Sequence, residues 1–142
     1  MPAALPAMKL ELVPVPVADV DRAKAFYQQV GFGVNVDVRP RPGMRVVQFT
    51  PPESGCSIVF GTGLGKITEM QPGSVHGLHL VVADIRQARQ ALLDRGVEVR
   101  PVSNVGGVLF AEFRDPDGNT WLLQEFPPAL RQPGQSYYEA RK

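Results

Sequence analysis

Cysteine is all but missing from this chain. Cys56 stands alone among 142 residues, so no internal disulfide can form, and a reducing cytoplasm is the expected compartment. A dominant sign of charge is missing too. Fifteen Lys and Arg against 14 Asp and Glu leave a net charge of +1, and the charges are mixed along the chain without a basic run or acidic tail. Such a surface has no field to draw nucleic acid or an anionic membrane, so neither is an expected partner. No run approaches the ~20 apolar residues of a membrane-spanning helix. The opening MPAALPAMKL has no apolar core of the length a signal peptide needs. At 44% hydrophobic and 20% charged, the chain reads as a globular protein large enough for a full core.

What the chain does have is an internal repeat. Residues 17–34, VADVDRAKAFYQQVGFGV, lie over residues 82–99, VADIRQARQALLDRGVEV, at a constant offset of 65 without a gap. Val17, Ala18, Asp19, Ala23, Gly31 and Val34 meet identical residues at Val82, Ala83, Asp84, Ala88, Gly96 and Val99. A period of this length marks a duplicated supersecondary unit.

Each copy reads as strand, helix, then three strands. In the first, Leu10–Val15 is an apolar run, and Pro14 and Pro16 confine it to a sheet edge or interrupt it. Asp19 is an N-cap for a helix with Val20, Ala23, Phe26, Tyr27 and Val30 at helical spacing, and Gly31 ends it. Phe26 and Tyr27 are expected to pack on the sheet, with the tyrosine hydroxyl reaching the surface. Strands are expected at Val34–Val38, Arg45–Thr50 and Cys56–Phe60, with turns at RPRPG and PPESG. In the second copy, Leu78–Val82 is a strand. Asp84 caps a helix with Ile85, Ala88, Ala91 and Leu92 on one face, and Gly96 ends it. Val97–Val102, Val108–Phe113 and Trp121–Phe126 are strands, with DPDGN a tight turn before the last.

VxD leading into a helix with AxxFY, a later GLHLVV-AD and a terminal F-x-DPDGN-x-x-x-L-x-E together resemble the vicinal oxygen chelate (VOC) superfamily over roughly residues 9–126. That superfamily includes glyoxalase I, extradiol dioxygenases, fosfomycin-resistance enzymes and bleomycin-resistance proteins. The resemblance implies an α+β fold of two tandem βαβββ modules forming a curled mixed sheet, or cup, with helices on the outer face, and a homodimer. One domain over 1–142 is expected: module one about 9–60, connector 61–76, module two about 77–126, and a loose tail over 127–142.

The resemblance also implies where a metal would be held: one His or Gln on each module's first strand, and one Glu on each last strand. Here those positions are Leu12, Gly77, Leu122 and a residue near Ile58 or Val59. None offers a donor, so no metal and no cofactor are expected. Strand parity tests a shifted set drawn from Glu11, His76, His79 and Glu125. With Leu12, Gly77 and Leu122 turned into the cup, Pro14, His79 and Gln124 share that face, while Glu11, His76 and Glu125 point away. His79 alone does not make a metal site.

The expected ligand-binding wall is Leu12, Pro14, Phe60, Gly77, His79, Phe110, Leu122 and Gln124, with Gly77 opening space by its missing side chain. His79 is the candidate acid or base, against the plainer reading of a histidine bonded to a backbone carbonyl. The orientation of Glu112 is open. Met44 and Tyr137–Tyr138 are candidates to rim a pocket in a partner subunit. Cys56 reads as a small core residue and Trp121 as helix-facing core, while Asp115 and Asp117 read as turn residues. GTGLGK fails the phosphate-loop pattern at Phe60 and Ile67. Two functions follow. The first is a metal-free protein that binds or sequesters an apolar or antibiotic-like small molecule. The alternative is a VOC enzyme, lyase, isomerase or dioxygenase-like, that uses His79 or an unpredicted metal site.

Overall fold

The computed structural model describes residues 2–130, so the readings of Tyr137–Tyr138 and of the tail from residue 131 lie outside the described residues. The chain divides into two compact units, Met1–Gln71 and Pro72–Lys142. In order, the elements of the first are β1 (Leu12–Pro14), α1 (Val20–Val30), β2 (Gly33–Arg41), β3 (Met44–Thr50), β4 (Ser57–Thr62) and a single-turn α2 (Lys66–Glu69). The second holds β5 (Leu78–Val81), α3 (Ile85–Asp94), β6 (Ser103–Val105), β7 (Val108–Arg114), β8 (Thr120–Glu125) and a 3-10 turn at Pro128–Leu130. Each unit carries one four-stranded mixed sheet, ordered β1-β4-β3-β2 in the first and β5-β8-β7-β6 in the second. The same order twice is the duplicated βαβββ unit that the repeat predicts.

Local chemistry sets the two longer helices, α1 and α3. The Asp19 carboxylate accepts from the Arg22 backbone N–H at 3.0 Å, and Asp84 accepts from Gln87 at 3.0 Å, so each satisfies an amide that the first turn leaves without a helical partner. Gly31 closes α1 at φ 100°, a left-handed conformation that a side chain would strain. Replacing Asp84 with alanine is expected to cost about 1 kcal/mol, read as a lower urea midpoint with an unchanged slope.

In the first unit, Val20, Ala23, Tyr27 and Val30 turn α1 onto the sheet and are buried. Tyr27 is fully buried, so the expected exposure of its hydroxyl is wrong: the ring lies 5.8 Å from Phe60 and 6.0 Å from Phe49, enclosed between helix and sheet. An ion network fastens the same helix. Arg45, on β3, donates from Nε and Nη2 to the two Asp37 oxygens at 3.0 Å each and from Nη1 to Asp21 of α1 at 2.7 Å. Lys24 of α1 donates to Asp37 at 2.7 Å. The guanidinium holds both carboxyls below the usual aspartate range, Asp37 through hydrogen bonds from Arg45 and then Lys24, Asp21 through Arg45.

In the second unit, Ile85 and Leu92 anchor α3, while Ala91 is exposed and Ala88 half-buried, so the expected four-residue face is narrower. Trp121 is buried and stacks on Phe113 at 6.0 Å, as its helix-facing reading requires. The DPDGN turn is more than a turn. Asp115 accepts from the backbone of Asp117 and Asn119, Asn119 Nδ2 donates to Asp115 at 2.8 Å, and Asn119 Oδ1 accepts from Val75 at 3.1 Å. That last bond ties the β7–β8 hairpin to the chain entering β5.

Three strand readings change. The first strand begins at Leu12, not Leu10, which is 70% exposed. It lies at a sheet edge, as its prolines require. β2 runs on to Arg41 through Pro40, with irregular pairing after Val34 and Val38. No strand forms over 97–102. Val97 and Val99 are buried, but Pro101 has no N–H to donate, and the edge strand of three residues starts at Ser103. Among the described residues no helix is long and apolar enough to cross a membrane.

Candidate functional site

Pairing register decides which side chains share a face. In the second unit, His79 lies opposite Leu122 and Val81 opposite Gln124 across β5–β8. Phe110 lies opposite Gln124, and Glu112 opposite Leu122, across β7–β8. The alternate residues Ala111, Phe113, Trp121 and Leu123 are buried. His79, Phe110, Glu112, Leu122 and Gln124 therefore occupy the sheet face turned away from that buried layer. His79 is exposed, and its ring meets Phe110 edge-on at 6.0 Å. His79 Nδ1 contacts the Gly77 carbonyl oxygen. A carbonyl only accepts, so Nδ1 carries the hydrogen, and in the neutral ring the Nε2 lone pair is left for another partner. Glu112, left open by the sequence, belongs to this face.

In the first unit, Leu12 pairs with Ser57 and Pro14 with Val59. Val13 pairs with Ile58, and Ile58 with Phe49 of the aromatic layer. Leu12, Pro14, Ser57 and Val59 thus share the face away from α1. Phe60 does not. It pairs with Val47, stacks on Phe49 at 5.9 Å and is 1% exposed. Its expected place in the ligand wall is corrected: alternation along β4 sends it into the core under α1. Gly77 is corrected in its reason. It precedes β5 at φ 78°, and an added Cβ would sit 3.9 Å from His79 Cε1, an ordinary contact. The position needs glycine for its backbone conformation rather than to clear space.

The register also settles the fourth metal position of the resemblance. The repeat places Pro14 where His79 stands in the second copy. Pro14 pairs with Val59 as His79 pairs with Leu122, so that position is Val59. Leu12, Val59, Gly77 and Leu122 carry no donor atom in their side chains, and this set does not fit a divalent cation. Two of the substitutes are engaged elsewhere. Glu125 Oε1 accepts from the Ile85 N–H at 2.8 Å, at the first turn of α3. His76 Nδ1 lies 3.4 Å from the Thr120 hydroxyl, and Glu11 is exposed. Among the described residues no three His, Cys, Asp or Glu side chains are grouped to hold a metal ion.

Among the described residues, hollows of about 460 and 370 Å³ open on the second unit. The smaller is lined by Phe110 and Leu122 together with Arg100, Ser103 and Glu112. Arg100 and Glu112 also line the larger, with Glu98 and Arg114. Arg100 and Ser103 have no place in the sequence-derived wall. Arg100 lies in the stretch read as a strand and Ser103 just beyond it, and the only local signal for Glu112 was its spacing of two from Phe110.

Two consecutive βαβββ units, each with a helix on one face of a mixed four-stranded sheet, define a paired-module α+β protein. The chain belongs to the Glyoxalase/Bleomycin resistance protein/Dioxygenase superfamily, whose family model matches residues 9–123. It is similar to TnmS3, an antibiotic binding protein from Streptomyces sp. CB03234, with 32% identity, a TM-score of 0.73, and coverage of 86% of this chain and 98% of that one. A glyoxalase/bleomycin resistance protein from the same source shares 35% identity at a TM-score of 0.67, covering 81% and 98%. A superfamily member from Sphaerobacter thermophilus DSM 20745 shares 30% at a TM-score of 0.70, covering 84% and 98%. No curated protein matches the chain significantly.

Proposed function

We propose that this protein is a metal-free binder of an apolar or antibiotic-like small molecule. One observation carries the reading: all four positions where the superfamily's enzymes would hold an ion are apolar or glycine, while the surrounding sheet face keeps Phe110, Leu122, His79 and Gln124 in place. An apolar surface with a few placed polar groups is the usual makeup of a small-molecule site. The likeness to an antibiotic binding protein supports it. On the first unit, Leu12 and Pro14 are the proposed contacts of its own face. The reading includes a cytoplasmic homodimer, and light scattering on the eluted protein checks the dimer.

A panel of aromatic and antibiotic-like compounds tests binding, because a ligand of the native state raises the melting temperature with its occupancy. Leu122→Asp is expected to weaken any hit at least about tenfold, which is about 1.4 kcal/mol, by placing a carboxylate on the apolar face. A panel without a single stabilising compound, or hits indifferent to Leu122→Asp, would sink the reading.

His79 favours a second reading. Its Nδ1 contact orients the ring and leaves Nε2 free to take a proton from a carbonyl substrate. Turnover of a bound compound that His79→Gln abolishes, with binding retained, would establish the enzyme in place of the binder.

A further inference from the structure

The smaller hollow has a chemistry of its own. Phe110 and Leu122 line it with apolar side chains, and Arg100, Glu112 and Ser103 line it with two opposite charges and a hydroxyl. The two charges are not equivalent. Glu112 already has a cation within reach, with Arg114 Nη2 at 3.4 Å from its Oε1. Among the described residues the Arg100 guanidinium has no ion-pair partner. The hollow thus presents a guanidinium without an ion pair among the described residues, beside the aromatic Phe110.

The segment bearing Arg100 is held in place although it is not a strand. Arg100 N–H donates to the Glu112 carbonyl at 2.8 Å, which joins the segment to β7. From α3, Arg89 donates from Nε to the Arg100 carbonyl at 2.9 Å and from Nη2 to the Val99 carbonyl at 3.0 Å. Val97 and Val99 are buried on either side of Glu98. Three hydrogen bonds and two buried side chains fix the backbone from which Arg100 reaches the hollow. A lining ordered beforehand lowers the cost of binding.

We infer that this hollow recognises aromatic acids: a planar apolar ring on Phe110 and Leu122, with a carboxylate or phenolate accepting from Arg100 and Ser103. The inference rests on the binder reading and narrows it to a ligand class. A guanidinium suits it because its planar fork donates two parallel bonds to a carboxylate, which an ammonium cannot match. Glu112, on the strand hydrogen-bonded to the Arg100 segment, repels a second acid and disfavours doubly charged ligands.

Fluorescence titration with naphthalene-2-carboxylate and with naphthalen-2-ylmethanamine, equal in ring and opposite in charge at neutral pH, tests it. The acid is expected to bind at least about tenfold more tightly than the amine, with that margin shrinking as salt is added. Arg100→Gln should erase the margin, Arg100→Lys should keep part of it, and Glu112→Gln should tighten the acid a few-fold. Tighter binding of the amine, or an acid affinity unmoved by Arg100→Gln, overturns the proposal. If Leu122→Asp abolishes binding while Arg100→Gln does not, acid recognition falls and the binder stands. If neither probe binds but the antibiotic panel yields hits, again only acid recognition falls. If the panel is silent as well, both fall.

Discussion

Phe60→Ala is expected to destabilise the protein by about 3–5 kcal/mol, the range for emptying a buried aromatic site. Phe60 is 1% exposed and meets Tyr27 and Phe49 at 5.8 and 5.9 Å. Alanine leaves a void bounded by two rings, each fixed from another side: Tyr27 by its helix, Phe49 by the centre of β3. Such walls collapse poorly, which puts the cost toward the upper half of the range. The melting temperature should fall by about 10 °C or more in a chain of this size. The contrast with a ligand-lining role is sharp. A phenylalanine facing an open hollow would lose little stability on truncation and most of its effect would fall on affinity. A stability loss of less than about 1 kcal/mol in urea unfolding would return Phe60 to the ligand wall.

The second large effect concerns Arg45 and acid. Arg45→Met removes three charge-assisted hydrogen bonds from a guanidinium whose side chain is only 9% exposed. Hydrogen bonds to charged groups contribute roughly 1.5–3 kcal/mol. Asp37 keeps Lys24 and about a quarter of its side chain in water, and Asp21 is exposed, so a loss of about 2 kcal/mol is expected for the whole substitution. The pH dependence carries the sharper signature. Asp37 and Asp21 both titrate below the ordinary aspartate value of 3.8 in the folded protein. A depressed carboxylate contributes stability that is complete above its unfolded pKa and is lost as pH falls toward the folded one. The native protein should therefore weaken steadily below about pH 4, and Arg45→Met should weaken much less over the same interval. Parallel stability profiles for the two proteins between pH 2 and 6 would show that the network does not act as described.

Much of the fold is written locally. Asp19 and Asp84 cap their helices because a short carboxylate reaches the third amide along. Gly31 ends α1 because the chain turns left-handed there, and DPDGN turns because Asp115 bonds the backbone just ahead of it. Pro14 predicts an edge strand for want of an N–H. These outcomes need only neighbours within a few residues. The site was half legible for the same kind of reason. Alternation along β8 puts Leu122 and Gln124 on one face, while His79 and Phe110 join them through the β5–β8 and β7–β8 pairing.

Other readings failed where the answer lay in distant pairings. Val97–Val102 alternates like a strand, but Pro101 and the Arg89 fork hold it as an irregular wall. Within β4 the run Ile58, Val59 and Phe60 is apolar at every step, so its own pattern cannot say which residue faces α1. Only pairing with β3 decides that, through Ile58 with Phe49 and Phe60 with Val47.

The chain alone determined the duplicated unit, its helix boundaries, and the absence of donor atoms at Leu12, Gly77 and Leu122, because composition and short-range geometry suffice for each. Tertiary structure alone decided that Val59 rather than Ile58 takes the fourth position, that Phe60 belongs to the core, and that Arg100, Ser103 and Glu112 gather around Phe110 and Leu122. A pleated strand offers two faces of equal local standing, and only hydrogen bonding to partners far along the chain selects one.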